Sequence, residues 1–152
     1  MTISAEHRAK IADKASKLLA SSYTLYLKTH NFHWNVKGPM FSALHNLFEL
    51  EYTELALAVD EIAERIQSVG HRAPGSYREF SELSSVEDAS GEPKALEMVR
   101  ILADDQDKVV AAAKELFEVA EAAGDQPSAD LAVRRMDVHQ KNAWMLRSHL
   151  ED

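Results

Sequence analysis

The stretch PMFSALHNLFELEYTELALAVDEIAERIQSV, residues 39–69, carries two patterns at once. Phe48, Leu55, Ile62 and Val69 recur every seven residues, the spacing of one packed face of a helix. A helix turns about 100° per residue, so with His45 as zero Glu49 lies near 40°, Asp60 near 60° and Glu64 near 100°. The apolar stripe falls between about 240° and 300° on the same wheel, so four potential metal ligands face away from the core that this helix packs against. Pro39 or Ser42 suits the helix start, and Gly70 follows Val69 as a stop.

On the amino-terminal side, a first helix is expected from about Ser4 to Asn35. Ile11, Leu18, Leu25 and Phe32 form its heptad stripe, with Ala15, Ser22 and Thr29 between them. Gly38 and Pro39 then break the chain. On the carboxy-terminal side, residues 70–92 contain HRAPGS, SELSS and ASGE, a connection too long for a tight hairpin and able to hold one short helix. A third long helix is expected from about Pro93 to Ala123, and GDQPS introduces a fourth from about Ser128 to His149. Four long helices with one crossover between the second and third predict an all-α, ferritin-like four-helix bundle occupying residues 1–152 as one domain.

The ligand face of the second helix has a bland alternative, a solvated charged surface. Its middle argues otherwise, because Tyr52, Thr53, Ala56 and Leu57 are not the choice of a merely solvated face. Glu49 and Asp60 stand about 16 Å apart along the helix axis, too far for one metal ion to bridge. If two copies of the helix pack antiparallel about a two-fold axis, His45 meets Glu64 and Glu49 meets Asp60. Thr53 then meets Ala56 at the crossing. The arrangement predicts two equivalent sites about 22 Å apart per dimer. A further ligand is needed from outside this helix, and His33 is the candidate, since the Gly38-Pro39 break lets the chain fold back beside it; His30 lies one turn earlier. Mixed imidazole and carboxylate donors suit iron, manganese or zinc better than magnesium or calcium.

Composition closes off other chemistries. The chain has 152 residues and no cysteine, which excludes disulfide scaffolds, thiol catalysis and cysteine-bound clusters. No stretch approaches the roughly 20 apolar residues needed to cross a bilayer, and a cytoplasmic protein is expected. The net charge of −8 disfavours nonspecific phosphate binding and favours cation attraction.

Two strings, HWNVKGPMFSALH (His33 to His45) and VDEIAERIQSVGHRAP (Val59 to Pro74), resemble the Dps proteins, mini-ferritins named as DNA-binding proteins from starved cells. The resemblance continues more loosely to NAWML near the end. It implies that Asp60 and Glu64 of one subunit join His33 of the two-fold mate at the tighter iron site, with His45 and Glu49 serving a weaker position. Members often have Asp where this chain has Glu49. The resemblance also implies a hollow dodecamer that stores ferric oxide, a ferroxidase that uses hydrogen peroxide in preference to dioxygen, and protection of DNA against oxidative damage. Trp34 resembles a family tryptophan that intercepts stray oxidising equivalents; an aromatic packed at a helix end is the alternative. Glu121, Asp125 and Asp130 are candidates for an acidic pore guiding iron inward. A first segment offering Arg8 and Lys10 against Glu6 argues against direct DNA binding, and nucleoid association stays open beside the expected cytoplasmic location.

Three rivals stand beside this reading. A di-iron oxygenase or true ferritin holds metals within one bundle through Glu-x-x-His pairs, and no such pair occurs in this sequence. A non-enzymatic interaction bundle explains the heptads but not the ligand register. A Dps-like shell that binds metal without oxidising it shares every sequence feature.

Overall fold

The computed structural model describes residues 2–151. Five helices follow in order: α1 (Ala5–Asn35), α2 (Phe41–Ser68), α3 (Tyr77–Leu83), α4 (Ala95–Ala123) and α5 (Gln126–Ser148). No strand occurs among the described residues. The four long helices and the short one inside the crossover match the expected fold class.

Side-chain pairs give the helix directions. His33 faces His45 and Tyr26 faces Tyr52, so α1 and α2 run antiparallel. Lys17 bonds Glu115 while Lys28 pairs with Asp105, which makes α1 and α4 antiparallel too. Gln106 meets His139 and Asp104 meets Arg147, so α4 and α5 are antiparallel as well. It follows that α2 and α4 are parallel. They occupy opposite corners of the bundle, α1 packing on both. A parallel successor must start from the end where its predecessor started, so the chain retraces the length of α2, about 42 Å at 1.5 Å per residue. Residues 69–94 do so, with α3 packed on α1. Lys28 clamps that crossover, donating to the Glu87 carbonyl at 2.9 Å while its ammonium lies 2.9 Å from the buried Asp105 carboxylate.

The heptad residues lie where the spacing puts them. Ile11, Leu18, Leu25, Phe32, Phe48, Leu55, Ile62 and Val69 are all buried, as are Ala15, Ser22 and Thr29. Burial of each large apolar side chain is worth about 1.5–3 kcal/mol, which holds the bundle against chain entropy. Helix ends follow local chemistry. The Ser4 hydroxyl accepts the His7 N–H at the start of α1, and Gly124 ends α4 in the left-handed conformation at φ 73°, which a side chain would oppose. α5 begins two residues earlier than expected, because the cap is Asp125: its carboxylate accepts the Ser128 N–H and hydroxyl and binds Arg65 at 3.0 Å. That ion pair ties α2 to the α4–α5 turn. It also removes Asp125 from the pore candidates, since the residue is buried; Glu121 and Asp130 remain exposed.

Polar groups also reach the interior. His139 is fully buried; its Nδ1–H donates to Gln106 at 2.6 Å, and its Nε2 accepts from Arg135 at 3.0 Å. Arg135 is anchored in turn by Glu54 at 2.5 and 2.8 Å. Burial, and then the Arg135 charge, lower the His139 pKa well below 6.5, so the ring is neutral. Glu51 is buried without a hydrogen-bond partner, and burial pushes its carboxyl from 4.5 up to about 8.

The two groups give opposite pH slopes. Unfolding protonates His139 below 6.5, so its contribution to stability is lost as pH falls through that value. Unfolding deprotonates Glu51 between 4.5 and about 8, so its contribution is lost as pH rises across that window. Each slope is at most about 1.4 kcal/mol per pH unit, so the two oppose below 6.5 and Glu51 acts alone above it. Chemical denaturation of the metal-free protein should therefore show stability falling from pH 6.5 to 8. Glu51→Gln should abolish that fall and expose a loss of stability below 6.5; an unchanged pH profile in the variant refutes the assignment.

Candidate metal centre

The turn at Gly38 and Pro39 folds the start of α2 back along the end of α1. Gly38 adopts φ 106°, a conformation that L side chains rarely take, and its carbonyl accepts the Phe41 N–H at 3.0 Å. His33 and His45 are thereby brought face to face, with ring centroids 3.7 Å apart and planes 17° from parallel. Their bonds are reciprocal. His33 Nδ1 lies 2.7 Å from the carbonyl of His45, and His45 Nδ1 lies 2.8 Å from the carbonyl of His33.

A carbonyl can only accept, so both Nδ1 atoms must carry the proton. In the neutral rings both Nε2 atoms therefore present lone pairs. Bonding of the remote ring nitrogen to a backbone carbonyl is how metal-binding histidines are oriented and their basicity raised. Glu49, one turn beyond His45, completes the group: its Oε1 is 3.9 Å from His33 Nε2, and one ligand atom from each of His33, His45 and Glu49 lies within 4.8 Å of the others. His33 is buried, His45 half-buried and Glu49 exposed. The group is thus anchored at its histidine side and open at its carboxylate side, an arrangement able to hold a metal ion with positions to spare.

Asp60 and Glu64 are not part of this group. They lie further along the same face of α2, exposed, and line a cavity of about 540 Å³ with Leu57, Glu61, Arg65 and Asp130. A single chain thus gathers three of the five expected ligands and holds the other two apart. His30 also stays outside. Its ring is packed between Trp34, at 3.9 Å, and Tyr52, at 4.2 Å. Trp34 packs on His30 in the last turn of α1 and is 58 % exposed, so it is an aromatic packed at the helix end with its outer side open to solvent. Sequence reasoning missed the two backbone carbonyls that set the histidine tautomers, because carbonyls leave no residue-type signal.

Residues 12–152 match the model of the ferritin-like domain family. The chain is 37 % identical over 141 residues to DNA protection during starvation protein 2 of Bacillus anthracis, covering 93 % of this chain and 97 % of that protein. It belongs to the Dps family. A crystal structure of a Dps protein from Bacillus brevis superposes with a TM-score of 0.94 at 34 % identity, covering 98 % of this chain and all of that one. The Dps of Vibrio cholerae O1, described as a member of a broad superfamily of ferritin-like diiron-carboxylate proteins, superposes at 0.92 with 26 % identity, covering 99 % of this chain and 98 % of that one.

Within this Dps, the geometry makes His33 and His45 mutually dependent. Removing either imidazole takes away one candidate ligand and the ring stacked 3.7 Å from the other, while the backbone carbonyl that orients the remaining ring stays in place. Anaerobic ferrous titration by calorimetry should show His33→Ala and His45→Ala each weakening binding by more than about tenfold, with His30→Ala nearly unchanged. Equal losses at all three positions would contradict the assignment.

Proposed function

We propose that this Dps sequesters iron by oxidising ferrous ions at sites shared between two copies of the chain, each copy serving throughout as one ferritin-like domain. His33, His45 and Glu49 come from one subunit, and Asp60 and Glu64 from its two-fold mate. The observation that carries the reading is the tautomer-locked histidine pair beside Glu49, left open on the side where further ligands are needed. Family membership and the diiron-carboxylate description of the Vibrio cholerae protein support iron as the metal. Leu50 and Leu57 support the shared site, because both project from α2 at 69 % and 74 % exposure beside the ligands. Apolar side chains that exposed on an otherwise charged face are suited to a contact between subunits.

Carboxylates stabilise the ferric product more than the ferrous reactant. Two iron ions held close together let hydrogen peroxide accept two electrons at once: two ferrous ions, one peroxide and two protons give two ferric ions and two waters. No hydroxyl radical forms on that route, which is why peroxide is the preferred oxidant in this reading. The product is stored as ferric oxide inside a closed homo-oligomer, a dodecamer. DNA is protected by removal of iron and peroxide, without contact. In keeping with the DNA protection and general stress names of its relatives, such a protein works in the cytoplasm. No helix among the described residues is long and apolar enough to cross a membrane.

The shared site is tested by complementation. A His33→Ala, His45→Ala chain and an Asp60→Ala, Glu64→Ala chain should each be nearly inactive in stopped-flow ferrous oxidation, with peroxide outpacing dioxygen in the wild type. Co-assembled at random, the two should recover up to about a quarter of the sites, because in each mixed dimer one site regains all its ligands and the other none. Mixed shells of normal size by light scattering, with no recovered oxidation, would end the shared-site reading.

DNA provides an independent check. With a net charge of −8, the metal-free protein should leave DNA unshifted in a gel at neutral pH and physiological salt; strong retardation would contradict protection without contact.

A further inference from the structure

The chain contains four tyrosines; three of them form a file leading away from the histidine pair, and the fourth lines a cavity at the far end of that file. Tyr52 meets His33 edge-on, with centroids 5.1 Å apart and planes at 75°. Tyr26 follows Tyr52 at 6.0 Å and 76°, and Tyr23 follows Tyr26 at 5.8 Å and 63°. These separations fall in the range of direct aromatic contact, with no intervening layer of side chains. Beyond Tyr23 comes Phe80 at 4.9 Å, a ring with no phenol to oxidise. The fourth tyrosine, Tyr77, is 74 % exposed and lines the same cavity of about 380 Å³ as Tyr23 and Phe80. Core packing alone would not select phenols here: Tyr23, Tyr26 and Tyr52 are only half-buried, and the fully buried ring on α2 is Phe48.

We propose that Tyr52, Tyr26 and Tyr23 form a one-electron relay that carries stray oxidising equivalents from the metal-binding face to the solvent-exposed end at Tyr77. The proposal rests on the ferrous oxidation argued above and concerns its failure mode. When a single ferrous ion meets peroxide without a second ion beside it, the products are a ferric ion, hydroxide and a hydroxyl radical. The Tyr52 phenol gives that radical one electron and one proton, forming water and leaving a phenoxyl radical. Tyr26 then supplies an electron to Tyr52 and releases its proton, while Tyr52 takes up a proton, so the phenol is restored and the radical sits on Tyr26. The same exchange moves it to Tyr23. The file gains direction from its far end, where a soluble thiol can reduce the radical at Tyr23 or Tyr77, giving up its S–H hydrogen and becoming a thiyl radical. His30, packed between Tyr52 and Trp34, opens a second branch to an oxidisable surface ring.

The relay is tested on the assembled protein in a Trp34→Phe background, which closes the second branch. Ferrous iron and peroxide are mixed without thiol, samples are freeze-quenched for electron paramagnetic resonance, and oxidised residues are mapped by mass spectrometry. The unmodified tyrosine file should give a tyrosyl signal, with oxidation at Tyr23 and Tyr77. Tyr26→Phe keeps the ring but not the phenol; it should drop oxidation at Tyr23 and Tyr77 to the level seen without peroxide and leave Tyr52 oxidised, while the rate of ferrous oxidation is unchanged. Tyr23→Phe should spare Tyr77 alone and raise oxidation at Tyr26. Oxidation of Tyr23 and Tyr77 that persists in Tyr26→Phe, or no tyrosine oxidation in the starting protein despite rapid ferrous oxidation, overturns the relay and leaves the metal site standing. Absence of ferrous oxidation in the wild type removes the metal reading and the relay together.

Discussion

The reciprocal bonds between His33 and His45 organise the end of the molecule that carries the candidate metal centre. Each imidazole donates to the other residue's carbonyl, at 2.7 and 2.8 Å, so two hydrogen bonds fix the relative height of α1 and α2, the orientation of both rings and both tautomers. The carbonyls involved are local to the turn. His33 sits in the last turn of α1, where carbonyls lack intrahelical partners, so the lock also satisfies an acceptor that the helix end leaves open. The same antiparallel register that faces His33 with His45 faces Tyr26 with Tyr52, and the aromatic file follows from it.

The two faces of α2 are used differently. Toward the bundle, Phe48, Leu55 and Ile62 are fully excluded from water and supply the packing energy that holds α2 in place. Outward lie Glu49, Asp60 and Glu64, with Leu50 and Leu57 among them, unpacked within one chain. A rigid inner face lets the outer one carry charged and apolar groups that a single subunit gains nothing from exposing. The interior itself is not wholly apolar. The chain from Glu54 through Arg135 and His139 to Gln106 satisfies most of its polar atoms and ties α2, α4 and α5 together, whereas Glu51 avoids the cost of a buried charge by staying protonated.

By itself, the sequence determined the helices and their order. A period of seven in the first two helices, interrupted at Gly38-Pro39 and stopped at Gly70, and the GDQPS turn between the last two specify where helices run and stop, because helical geometry is local and repeats every few residues. The long segment after Gly70 specifies the crossover, since parallel successors cannot be joined by a tight turn. His45, Glu49, Asp60 and Glu64 were placed on one face by rotation alone, and the separation of Glu49 from Asp60 followed from helical rise. Tertiary structure decided what depends on contacts between distant residues. Asp125 reads as one acid among several in an exposed turn, yet Arg65, 60 residues earlier, draws it into a buried cap. His139 reads like any other histidine until Gln106 and Arg135 enclose it. The tautomers of His33 and His45 depend on two backbone carbonyls, groups that every residue possesses, and only the folded chain shows which of them each imidazole meets.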